Sequence, residues 1–137
     1  MKKINYSDLN SRQKENYNFQ KFSAKLADYG FNCIRLTDDW QGADFIAMHV
    51  SGNTFMKVQL KGRITFDKKY LKKDIWIAFI HNNTNKKEYY LYSHDALIYE
   101  MKNIVNYFES DSWNKFGGYS SGKLSRDVLE KIEKYKL

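Results

Sequence analysis

Met56, Val58 and Leu60 alternate with Lys57, Gln59 and Lys61, the period-two pattern of a strand with one apolar and one polar face. Gln59 and Lys61 therefore share a side. Residues 43–50 form a second strand-like run, and Ser51-Gly52-Asn53 between the two is turn punctuation, so an antiparallel hairpin is predicted. Centring its turn between Ser51 and Gly52 sets Asp44 opposite Gln59, with Lys61 as the diagonal neighbour. Opposed side chains on one face have Cβ atoms about 4.5–5.5 Å apart, and diagonal neighbours lie about 7–8 Å apart. A slip of one residue would send Asp44 to the other face.

Around the hairpin the patterns alternate between helix and strand. Phe19, Phe22, Leu26 and Tyr29 recur at spacings of three and four after a capping Asn10 or Ser11, and Gly30 closes the segment, so residues 11–29 are predicted as an amphipathic helix. Residues 31–36 read as a first strand, 38–42 as a loop and 66–73 as a helical turn. Residues 75–80 are apolar at every position, which predicts a strand buried on both faces. Residues 81–87 read as a polar turn and 88–92 as an aromatic strand. Ser93 caps a helix running to about Phe108 with Asp95 in its first turn, and a last helix follows Lys123. The order describes an α/β domain with a mixed sheet flanked by helices.

Composition narrows the class. With 137 residues, 42% hydrophobic and 17% aromatic, the chain is sized for one domain spanning 1–137. It has no apolar run long enough to cross a membrane, and Met1-Lys2-Lys3 is followed by polar Asn5, Ser7, Asp8 and Asn10. The expectation is a cytoplasmic protein without span or signal peptide. The lone Cys33 sits in an apolar run and is expected to be an inert thiol. Lysines and arginines outnumber acids 23 to 16, giving +7 and a pI near 9.3, a charge balance suited to a polyanion. Nineteen of those cations are lysines, which base composition would also explain.

Two apparent motifs carry nothing. Gly117-Gly118-Tyr119-Ser120-Ser121-Gly122-Lys123 imitates a phosphate loop, but Leu124 stands where a hydroxyl would hold magnesium and no buried strand precedes it, so a solvated loop and no nucleotide cofactor are expected. His81-Asn82-Asn83 imitates part of an HNH nuclease without a second metal-binding histidine. His49 and His94 are expected to be structural.

The order helix, strand, hairpin, apolar strand, with Gly42-Ala43-Asp44 on one hairpin strand and Val58-Gln59-Leu60-Lys61 on the other, resembles the PD-(D/E)XK nuclease superfamily over residues 11 to about 92. The proline of that motif is absent, and Gln59 stands where an acid is usual, as in the Q-x-K variant of Mrr-type restriction enzymes. The resemblance implies a restriction-endonuclease-like αβββαβ core with C-terminal helices and a Mg²⁺-dependent DNA endonuclease, with Mn²⁺ as substitute metal. It implies that Asp44, the Gln59 side-chain oxygen and the Leu60 carbonyl hold the metal, while Lys61 orients the attacking water or neutralises charge on the phosphate. A helix-borne glutamate often joins such sites; Glu15 lies close to the apolar stripe, although a position nearer 19 or 20 is the more usual one. Lys57, Arg63, Lys68, Lys69, Lys72 and Lys73 are candidate phosphate contacts, Asp38 and Asp39 are an acidic turn or a secondary metal ligand, and cutting both strands calls for a homodimer. Two other readings stay open: a catalytically inactive nuclease fold that binds DNA, and a basic adaptor or inhibitor.

Overall fold

A computed structural model describes residues 1–83, 86–103 and 106–137. After a short 3-10 turn at Tyr6–Asp8 come α1 (Ser11–Ala27), β1 (Phe31–Trp40), β2 (Ala43–His49), β3 (Phe55–Lys61) and β4 (Ile64–Asp67). A 3-10 turn at Lys68–Tyr70 leads to β5 (Ile75–Asn83), β6 (Lys86–Ser93) and α2 (His94–Met101). The chain ends with α3 (Asp111–Phe116), β7 (Gly118–Ser121) and α4 (Arg126–Ile132). The fold is α/β: five strands in the order β1-β2-β3-β5-β6 make a mixed sheet flanked by helices, parallel only between β3 and β5.

Two cores sandwich this sheet. On one face α1 lays Phe22 and Leu26 against Phe45, Ala47, Met56, Val58, Ala78 and Ile80. On the other, Ile75, Ile77, Phe79, Tyr90 and Tyr92 meet Ile64, Phe66 and Tyr70 together with Leu97, Ile98 and Met101 of α2 and Val128 and Ile132 of α4. β5 therefore feeds both cores, as its unbroken apolar run predicts. Each fully buried side chain of this size contributes about 1.5–3 kcal/mol, so both faces help to fix the register of the central strands. The hairpin register is the expected one, with Phe45 opposite Val58 and Ile46 opposite Lys57.

The differences have local causes. α1 begins with the predicted capping box, Asn10 and Gln13 exchanging side-chain hydrogen bonds with each other's N–H at 2.9 Å, but stops at Ala27. The turn into Gly30, at φ +80°, then carries Tyr29 off the stripe to 50% exposure. Of the expected loop at 38–42, residues 38–40 belong to β1, which continues through a register shift to Trp40, paired with Ala43. Two residues turn the chain there, Gln41 at φ +56° and Gly42 at φ +91°, the primed geometry that suits tight hairpins. The crossover from β3 to β5 holds β4 and a 3-10 turn where the αβββαβ order expects a helix, because Ile64 and Phe66 alternate inward and β4 pairs with β7. That pairing also makes 118–121 a strand instead of a solvated loop, and Ser125 caps the last helix. Of the expected turn at 81–87, residues 81–83 and 86–87 belong to β5 and β6, and 84–85 lie outside the described residues. α2 ends at Met101 ahead of the weak helix former Asn103, short of the expected Phe108, which lies in a separate 3-10 turn. The stretch between them includes residues 104–105, outside the described set.

Gly42 is required by more than its φ. A Cβ built there would stand 2.9 Å from Cε1 of Tyr70, which is itself buried. Gly42→Ala is expected to cost about 1–3 kcal/mol, read as a lower urea midpoint with unchanged slope. An unchanged midpoint would mean that the Tyr70 ring yields freely.

Candidate active site

The site arises where β2 and β3 part. Backbone N–H and C=O pairs alternate between the two edges of a strand, so those of Leu60, like those of Val58, point toward β2. The β2–β3 pairing ends at Phe45 and Val58, leaving the Leu60 groups facing an opening. Asp44 fills the missing place with its side chain. Its Oδ2 accepts the Leu60 N–H at 2.8 Å and the Gln59 Nε2–H at 2.7 Å. The opposition of Asp44 and Gln59 expected from the hairpin register is therefore present as a direct bond.

Lys61 follows Gln59 on the same face, and its charge reaches Asp44 while its Nζ lies 5.5 Å from the Tyr70 ring centroid. Glu15, on the first turns of α1, borders the same cavity of about 410 Å³ as Asp44, together with Arg12, Arg35, Asp38 and Asp39. Of the helix positions weighed, 15, 19 and 20, it is the one brought to Asp44: Phe19 packs on Phe45 with centroids 5.3 Å apart and Gln20 is exposed. Glu15 is held by the Arg35 guanidinium. Asp39 spends Oδ1 on the Gly42 N–H at 2.7 Å, which makes it a turn-forming carboxylate beside the cavity.

Partial burial raises the Asp44 carboxyl above its usual range; the Leu60 N–H and the Lys61 charge oppose this, and Glu15 and Asp39 add to it. A carboxyl with a raised folded-state pKa favours folding most at low pH, and that contribution is lost as pH rises from the ordinary carboxylate range through the raised value. Asp44→Asn keeps an oxygen for both N–H donors and removes the charge. The variant is expected to melt at a higher temperature than wild type at pH 7, with the gain shrinking toward pH 4. A lower melting temperature at pH 7 would show that the charge stabilises the fold.

The fit to a cation is narrow. Among the described residues no group of three or more His, Cys, Asp and Glu side chains is arranged to hold a metal ion. Asp44 meets the Gln59 amide and the Leu60 N–H, and strand alternation puts the Leu60 carbonyl on that same edge. Half a turn of that amide exchanges its N–H for oxygen at the same place. A hard cation that keeps most of its waters and takes one or two carboxylates suits this set.

The basic residues divide into two groups. Lys57 donates to Gln41 Oε1 at 3.2 Å and lies 6.0 Å from the Trp40 ring centroid. Lys68, Lys69, Lys72 and Lys73 sit on the turn after β4, where they and Arg63 are exposed. That turn is firmly tied: Asp67 accepts the Lys69 N–H at 2.9 Å, Asp95 the Lys72 N–H at 2.8 Å, and Gly117 the Lys68 N–H at 2.7 Å. Lys69 also lies 5.0 Å from the Tyr70 centroid, so this ring joins the basic turn to Lys61. His94 locks the same corner. Its Nε2 accepts the Asp67 N–H at 3.1 Å, leaving Nδ1 to donate to Asp95 Oδ1 at 3.1 Å, and burial lowers its pKa.

Arg35 and Trp40 were not singled out from the sequence. Arg35 had a signal: a cation inside the run 31–36 must find a partner, and that partner is Glu15. No family model matches this chain, and no curated protein matches it significantly.

Proposed function

We propose that this protein is a Mg²⁺-dependent DNA endonuclease of restriction-endonuclease-like type, acting in restriction or another defence role, with Mn²⁺ as substitute metal. The observation that carries the reading is the convergence of Asp44 and Gln59, 2.7 Å apart at the mouth between β2 and β3, with Lys61 next on the same face. Asp44, the Gln59 amide oxygen and the Leu60 carbonyl would hold the cation. When bound, it supplies Lewis-acid polarisation and a more acidic water. Lys61 orients that water or meets the charge growing on the phosphate, a role in which a fixed cation gains most away from bulk solvent. Glu15, paired with Arg35, borders the adjoining cavity as the helix-borne carboxylate of the site. The turn from Lys68 to Lys73 and Arg63 contact backbone phosphates, positioning the duplex without reading its sequence. Cutting both strands needs a second copy of the chain.

The test is incubation with supercoiled plasmid, with and without Mg²⁺ or Mn²⁺. Nicked or linear product that requires the metal supports the proposal. A second reading, a DNA-binding nuclease fold without catalysis, is favoured by the single carboxylate and by the Gln59 N–H resting on it. On that reading no product forms at any metal concentration, and Asp44→Ala leaves DNA affinity unchanged.

A further inference from the structure

An apolar cleft of about 390 Å³ opens on the hairpin, lined by Trp40, Ile46, Phe55, Met56, Lys57 and Asp74. Ile46 and Lys57 oppose each other in the β2–β3 register, one step along the ladder on the same face as Asp44 and Gln59. The cleft thus adjoins the candidate active site. Its aromatic walls are open to solvent, Trp40 at 53% and Phe55 at 62% exposure, and together they line one cleft. The tight turn at Gln41–Gly42 and the Trp40–Ala43 pair fix the backbone that carries the indole. Lys57, steadied by Gln41, puts an ammonium at its rim, and the Asp74 carboxylate also borders it.

We propose that this cleft takes one unstacked nucleobase of a single-stranded or locally opened nucleic acid. The base lies against the Trp40 indole, Lys57 meets its phosphate, and Asp74 accepts from an exocyclic amino group. The charge fits a polyanion: the chain carries +7, Lys57 lines the cleft, and the Lys61 charge lies at the site beside it. Aromatic faces accept any base because every base has a π-face, and carboxylates select those that carry an amino donor. The inference rests on the nuclease reading only for its setting. It adds that the enzyme engages unpaired nucleotides next to the bond it cuts.

The experiment measures the affinity of the full chain for a fluorescein-labelled single-stranded oligonucleotide, the same strand with abasic sites, and the matching duplex, all in EDTA so that cleavage plays no part. Wild type is expected to prefer the single strand to its abasic form. Trp40→Ala should weaken single-strand binding about 5- to 150-fold, the range for one lost base stack, while barely changing duplex binding. Trp40→Phe, which keeps a π-face, should recover most of the loss and serves as a second variant if the alanine form folds poorly. Equal affinity of wild type and Trp40→Ala, or no loss with the abasic strand, would overturn the proposal. The two readings fail separately. Metal-dependent cleavage with no Trp40 effect sinks the cleft alone, whereas a Trp40-dependent single-strand preference in a protein that never cuts sinks the nuclease and keeps the cleft.

Discussion

Lys61→Ala is expected to slow metal-dependent plasmid nicking about 10²- to 10³-fold, the usual loss when one fixed charge or donor is removed from a transition state. Asp44→Ala should reduce it at least as far. Both changes should leave the DNA dissociation constant within about threefold, because residues that serve the transition state lower the rate without altering ground-state binding. The fold gives no reason to expect collapse. Lys61 is only partly buried and touches the Tyr70 ring instead of sealing a core, and Asp44 costs the fold some stability through its desolvated charge. Circular dichroism spectra matching wild type, together with lost cleavage and retained binding, make the case. Nicking that survives Asp44→Ala would show that the chemistry lies elsewhere. A parallel loss of cleavage and binding in Lys61→Ala would reduce that lysine to a phosphate contact.

The site was legible in the sequence because period-two alternation and a short hairpin turn fix a register, and a register fixes which side chains face each other. Asp44 and Gln59 follow from that rule alone. Glu15 was within reach because helical periodicity places it beside the apolar stripe, but its distance from Asp44 depends on how α1 crosses the sheet, and Arg35 decides what it pairs with. Elements of only four residues were harder. β4 shows two inward positions, Ile64 and Phe66, too few to separate a strand from a helical turn, and β7 exists because β4 offers it an edge. The tail of β1 was hidden for another reason: Asp38, Asp39 and Gln41-Gly42 have loop-like composition, and cross-strand pairing overrides it. Tyr70 stands in the sequence as the aromatic of the lysine run, but that its ring also lies near Lys61 is set only in three dimensions.

DNA affinity is expected to fall steeply with salt, since each phosphate neutralised releases counterions at a slope of about 0.9 log unit per log unit of salt. If about five cations among Lys57, Arg63, Lys68, Lys69, Lys72 and Lys73 engage the backbone, the slope is about −4.5, and raising salt from about 50 to about 200 mM should weaken binding about 500-fold. Lys68 and Lys69 are the less available members. Lys68 has its ammonium 5.2 Å from the Trp113 ring centroid, and Lys69 is paired with Asp67 at 3.4 Å. Lys72 and Lys73 are exposed on a turn that Asp95 holds in place, so they can meet phosphates without first ordering the backbone. Replacing both by glutamine should flatten the slope by about 1.8 and weaken binding to all duplex sequences alike, because these contacts read charge and not bases. Fluorescence anisotropy across a salt series measures both quantities. An affinity that ignores salt would place the protein's partner outside the nucleic acids and favour the adaptor reading of its positive charge. A slope unchanged by the double substitution would move the DNA track away from the β4–β5 turn, toward Lys57 and the hairpin.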